Sequence, residues 1–143
     1  MRRILSTVVA SAALVAGVGL TSVATAGPAA ASGWCDGSKG FVLSGRSVRL
    51  PYNVASNSTD CTLARGASGS GVTALQNALR YCNEEGDLVV DGDFGPRTET
   101  ALERAQALRG TTPDGIYGPN TRSVLAWPAY LGGSLVRCVG DPS

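Results

Sequence analysis

The sequence predicts a mainly α protein: a three-helix bundle of repeated loop-helix units, carrying a disulfide-linked N-terminal extension of short strands and turns. Three observations carry that expectation. Apolar residues recur at helical spacing from Ser70 onward, one loop-helix phrase occurs twice, and four cysteines bracket the helical part.

At the N-terminus, Arg2 and Arg3 precede an apolar run from Ile4 to about Val23, closed by the small residues Ala24-Thr25-Ala26. This is the layout of an export signal, so residues 1–26 are expected to be a signal peptide, with a second cleavage option at residues 29–31. A run of this length also approaches the ~20 residues of a membrane span; the small residues behind it favour removal. Losing the segment takes two of twelve basic residues and none of eleven acidic ones, which leaves ten against eleven. Without clustered Lys and Arg, such a chain has no electrostatic reason to seek nucleic acid or, after cleavage, a membrane surface. The expected product is a secreted monomer.

Residues 27–60 are rich in Gly, Ser and Asn, with β-prone pieces at Phe41-Val42-Leu43 and Val48-Arg49-Leu50. They read as an extension of short strands and turns. The cysteines are Cys35, Cys61, Cys82 and Cys138. An even count in an exported chain points to two disulfides, because small domains bury too little surface to be stable without staples. Zinc would need close cysteine pairs or histidines, and the chain has neither. A helix between Ser70 and Cys82 would hold Cys61 and Cys82 roughly 18 Å apart at 1.5 Å per residue, which disfavours that bridge. Two pairings remain, 35–61 with 82–138 or 35–82 with 61–138; the first is preferred.

The helical part is expected over residues 61–127. Val72, Leu75, Leu79 and Cys82 fall on one stripe of a helix from about Ser70, with Ser70 as N-cap and Gly86 just past its end. Pro96 opens a second helix, whose apolar side is Ala101, Leu102, Ala105 and Leu108 and which Gly110 ends. A third runs from Pro119 to about Trp127, where Pro128 stops it. Residues 128–143 form a tail pinned back by its cysteine.

The repeated phrase is VDGDFGPRTETAL at residues 90–102 and PDGIYGPNTRSVL at residues 113–125. In each copy Asp-Gly supplies a turn, the aromatic enters the core and Gly-Pro starts a helix. Thr98 and Thr121 fall in the first helical turn, and Asp91 and Asp114 are placed to accept hydrogen bonds from loop N–H groups. On this reading the phrase is a device for launching a helix, used twice.

The series Leu63, Gly66, Gly69, Val72, Leu75-Gln76, Leu79, then Asp91-Gly92, Phe94-Gly95, Thr98, Ala101-Leu102, then Asp114-Gly115-Ile116, Gly118-Pro119, Thr121 and Leu125 resembles the three-helix peptidoglycan-binding domain. That domain is commonly attached to bacterial cell-wall hydrolases. The resemblance covers roughly Cys61 to Trp127 and implies peptidoglycan, through its glycan or its stem peptide, as the partner, and a cell-wall location. The family has an aromatic before the second helix's Gln where this chain has Ala105 before Gln106. The volume so freed is expected to be filled by Trp34, Phe41 or Tyr130. Gln76 and Gln106 match family positions and are expected to hydrogen-bond backbone between helices.

No catalytic constellation accompanies these features. The chain contains no histidine, which removes Ser-His and Cys-His pairs and His-based zinc sites. Glu84-Glu85 and Asp91-x-Asp93 read as solvated charge rather than the facing carboxylates a glycosidase needs or a calcium loop. Neither an enzyme activity, a cofactor nor a metal is expected. The alternative to wall binding is a disulfide-stapled secreted protein that binds or inhibits another secreted protein. Sugars and peptides are held by a few polar groups beside aromatics, so the expected ligand residues are those where the copies differ or border a difference: Asp93, Arg97, Tyr117, Asn120 and Arg122.

Overall fold

The computed structural model describes residues 33–143, all within one unit, Ala31–Ser143. The expected leader and the first residues of the extension lie outside the described residues. The elements run β1 (Gly37–Leu43), β2 (Arg46–Tyr52), α1 (Ser70–Cys82), α2 (Pro96–Leu108), α3 (Pro119–Val124), β3 (Trp127–Leu131) and β4 (Ser134–Val139).

The mainly α expectation is overturned. Among the described residues, three helices of 13, 13 and 6 residues stand beside four strands of 7, 7, 5 and 6. The strands form one antiparallel sheet in the order β1-β2-β3-β4, so the molecule is not a helical bundle. Two hairpins build it. Leu43 pairs with Arg46 and Leu131 with Ser134, which leaves two-residue turns at Ser44-Gly45 and Gly132-Gly133 with all four residues at positive φ. That turn geometry matches the twist of paired strands. The hairpins are joined by a short ladder, Ser47 opposite Tyr130 and Val48 opposite Ala129. A local pattern shows strands but not their partners, and these partners lie some eighty residues apart. Pro128, expected to end a helix, sits instead in β3, where the β2 ladder does not reach it.

Helix α1 buries Val72, Leu75, Ala78 and Leu79 as its periodicity requires. Its N-cap is Gly69 rather than Ser70, and no side chain caps it. Its end is set by Asn83, not by Gly86. The buried Asn83 amide donates to the carbonyls of Ala78 and Ala126, both at 2.8 Å, and its oxygen accepts from Ala126 N–H at 3.1 Å. Helix α2 starts with Pro96 at N1 and buries Ala101, Leu102 and Ala105, while Leu108, expected inside, is exposed. Helix α3 is shorter than expected: Leu125 turns extended and Trp127 begins β3.

The core lies where β2 and β3 meet the helices: Val48, Leu50, Leu63, Leu75, Leu79, Leu102, Leu125 and Trp127 are fully or almost fully buried. Burying a side chain of this size stabilises the fold by about 1.5–3 kcal/mol. Tyr117 and Trp127 meet edge to face, ring centres 6.1 Å apart. Phe41 packs against this cluster from β1, whereas Trp34 is 64% exposed. The disulfides are Cys35–Cys61 and Cys82–Cys138, with Cα separations of 5.0 and 5.7 Å, inside the unstrained range. The preferred pairing is the one formed. Among the described residues no helix is long and apolar enough to cross a membrane.

Candidate functional site

Each copy of the repeated phrase is organised by one buried glutamine from the helix before it. In the first loop the Gln76 amide nitrogen lies 2.8 Å from Asp91 Oδ1, 3.0 Å from the Asp93 carbonyl and 3.1 Å from Thr98 Oγ1. Its Oε1 accepts from the N–H groups of Asp91 and Gly92 at 3.1 and 2.8 Å. In the second loop Gln106 repeats the pattern on Asp114 Oδ1, the Ile116 carbonyl and Thr121 Oγ1 at 2.8, 2.9 and 3.0 Å, and accepts from Gly115 N–H at 2.9 Å. The glutamines therefore reach loop backbone and loop side chains, which is wider than the expected helix-to-helix bonding. Asp91 and Asp114 accept from the N–H two residues on, both at 2.9 Å. The Asp93 N–H, then the Gln76 amide, hold the Asp91 carboxyl below its ordinary value.

Gly92 and Gly115 sit at φ +79° and +67°, where a side chain is strained. A Cβ on Gly115 would also lie 2.7 Å from Glu99 Cγ. The chain before α1 ties the loops together: Leu63 exchanges both backbone hydrogen bonds with Tyr117, and Ala67 and Gly66 bond to Phe94.

Helix α2, launched by the first loop, borders an open cleft of about 910 Å³. Its stripe Arg97, Thr100, Arg104 and Leu108, spaced three or four residues apart, forms one wall; the loop Glu84–Leu88 forms the other. The pair Glu85–Arg104 crosses the cleft as a bidentate bridge, 2.9 and 2.5 Å, with Glu85 buried. The hydrogen bond and charge of Glu85 hold the Arg104 guanidinium still further above its ordinary value. Glu84 stands at the lip with φ +67°. The side chains of Glu84, Asp87 and Arg97 have no hydrogen-bond or ion-pair partner among the described residues. A smaller cavity of about 270 Å³ lies between the flank of α1 (Thr73, Asn77) and the sheet (Ser47, Arg49, Tyr130).

Residues 68–125, which hold α1, both loops, α2 and α3, match the family model described as "Putative peptidoglycan binding domain". This segment belongs to that family. An uncharacterized protein in the bpoA1 3′ region of Kitasatospora aureofaciens is 39% identical over 80 residues, 53% of this chain and 64% of that protein. The zinc D-Ala-D-Ala carboxypeptidase of Streptomyces albus G is 43% identical over 61 residues, 42% of this chain and 24% of the enzyme. The N-acetylmuramoyl-L-alanine amidase CwlL of Bacillus licheniformis is 37% identical over 62 residues, 40% and 17%. The chain thus spans less than two thirds of each. Among solved structures, the SleB N-terminal domain is 40% identical, with a TM-score of 0.41, and the match covers 43% of this chain and 84% of that one.

Within the peptidoglycan-binding segment the five expected ligand residues do not converge. Arg97 is exposed and lines the cleft. Asp93 and Asn120 are exposed but outside it. Tyr117 has no exposed surface, and its hydroxyl is buried without a hydrogen-bond partner among the described residues. Burial pushes that phenol far above its ordinary value, against the opposing charge of Arg122.

Arg122 is a tie rather than an open ligand group. It bonds Asp141 at 2.7 Å, Thr59 Oγ1 at 2.7 Å and Asp60 at 2.8 Å. Burial works against its charge, and the bonds to Asp141 and Asp60 outweigh it. Glu99, the counterpart of Arg122 in the first copy, pairs with Arg65. Glu84 and Glu85 read in the sequence as solvated charge, and Asp87 and Arg104 carried no reading; the spacing of Arg97, Thr100, Arg104 and Leu108 on one helical stripe was the available signal.

Proposed function

We propose that the protein is a secreted, non-catalytic module that binds peptidoglycan, and that the cleft beside α2 is where it does so. The match of residues 68–125 to the peptidoglycan-binding family carries this reading. The named relatives of known activity are enzymes that act on cell-wall material, and the shared part is a quarter or less of each. That is what a shared wall-binding module would leave in common. The absence of histidine from the whole sequence supports a non-catalytic role, since the usual nucleophile pairs and zinc sites of such enzymes require it.

Sedimentation tests the reading. The oxidised protein is mixed with insoluble, protein-free peptidoglycan and spun at several salt concentrations. It is expected in the pellet at low and moderate salt, with the turbidity of the suspension unchanged. Recovery in the supernatant at every salt concentration would end the wall-binding reading, and clearing of the suspension would replace it with a hydrolase.

A further inference from the structure

Resting on that reading, we infer that the cleft takes the stem peptide rather than the glycan, gripping a peptide that carries a free side-chain ammonium and a terminal carboxylate. The charges on its two walls carry the inference. On the loop wall Glu84 and Asp87 are carboxylates without partners; on the helix wall Arg97 is a guanidinium without one. The fourth and fifth charged groups, Glu85 and Arg104, neutralise each other across the cleft. What remains is negative on one side and positive on the other.

A neutral oligosaccharide would answer neither wall. It would leave all three exposed ions without a counter-charge and so forgo the ion pairs that a charged ligand makes there. A short peptide with an ammonium on one arm and a carboxylate on another answers both, the ammonium towards Glu84 and Asp87 and the carboxylate towards Arg97, whose fork suits bidentate carboxylate binding. The cleft, about 910 Å³ and open to solvent, has room for a short peptide. Leu108, 64% exposed at the far end of the helix stripe, offers apolar surface to the aliphatic part of such a peptide. Glu84 adds a local detail. It occupies the left-handed position after the end of α1, where glycine is favoured, so the chain keeps a carboxylate at the lip at a backbone cost.

The test uses the full oxidised protein and three soluble probes in calorimetric titrations at low salt. These are a stem tetrapeptide with a free diamino-acid side chain, the same peptide acetylated on that amine, and a glycan oligomer stripped of peptide. The free peptide is expected to bind, the acetylated one about fivefold more weakly as one exposed ion pair is lost, and the bare glycan not measurably. E84Q/D87N is expected to bind the free peptide about as weakly as the wild type binds the acetylated one, and to be indifferent to acetylation. R97Q is expected to lose a similar factor and to keep its response to acetylation of the amine. Equal affinity for free and acetylated peptide, or binding of the bare glycan alone, overturns the inference while sedimentation with whole peptidoglycan still stands. Failure to sediment removes the functional reading and this inference together. The comparison of probes needs no variant, so a substitution that disturbs folding does not blunt it.

Discussion

The two loop-helix units share one internal frame and differ in everything that surrounds it. In both, a buried glutamine holds an Asp-Gly turn, a threonine hydroxyl and a loop carbonyl, and an aromatic drops inward. The first unit then presents the outer side of its helix to an open cleft with uncompensated charge. The second is covered: Arg122 binds Asp60 and Asp141, and its helix ends after six residues so that the chain can join the sheet. Because the frame is satisfied from inside, each outer surface is free to take a separate job, one towards solvent and one towards the rest of the chain.

The largest effect tests the frame itself. Gln76 accepts two loop N–H groups and Gln106 accepts one, while their amide nitrogens meet equivalent sets. Removing either leaves buried donors and acceptors without partners, each costing about 1–3 kcal/mol. Q76A is expected to lose about 4 kcal/mol and Q106A about 3 kcal/mol. Urea unfolding with unchanged m-values measures both. Equal losses, or the reverse order, would show that the extra N–H of Asp91 carries no weight and that the loops are energetically alike.

A smaller effect of opposite sign follows from the aromatics. Phe94 and Tyr117 hold equivalent buried positions, but only the tyrosine brings a hydroxyl, and it has no partner. Y117F should raise stability by about 1 kcal/mol, since a buried hydroxyl without a hydrogen bond is a net cost. The same unfolding measurement decides it. A loss instead would mean that the hydroxyl interacts favourably with the Arg122 cluster, and the second unit would then be tied to its surroundings through its core aromatic as well.

How far the sequence carries can be judged from these parts. Helix α1 was legible in place and in its buried face, because Val72, Leu75 and Leu79 keep the 3.6-residue period, although its caps were not. The Asp-Gly and Gly-Pro pairs likewise announced the two turns and helix starts. The sheet was not legible as a sheet: its strands come from opposite ends of the described chain and meet over two residue pairs. Pro119–Trp127 read as one helix because Pro128 looked like its stop, whereas the chain turns extended at Leu125.

That the five expected ligand residues are not brought together has a related reason. Arg122 looked free because its partners stand 62 and 19 positions away, and a residue's neighbours in sequence do not reveal such pairs. Arg97 stays exposed because, among the described residues, no side chain pairs with it. The cleft itself needed the loop at Glu84–Leu88 brought beside α2, a placement held by the Arg104–Glu85 bridge and by Arg109, whose guanidinium donates to Asn83 Oδ1 and to the Cys82 carbonyl.

The smallest effect separates frame from surface by pH. Asp91 is held below its ordinary carboxylate value of 3.8, first by the Asp93 N–H and then by Gln76. A carboxylate whose pKa is lower in the folded than in the unfolded chain adds stability above the unfolded value and gives it up as pH falls through the folded value. D91N keeps an oxygen for the Asp93 N–H but has no charge to titrate, so the difference between wild type and variant should stay constant from pH 7 down to about pH 4 and narrow below that. Urea midpoints taken at steps from pH 7 to pH 2 read this directly. Curves that remain parallel below pH 4 would mean that the charge of Asp91 contributes nothing to the turn. The first loop would then be held by hydrogen-bond geometry alone.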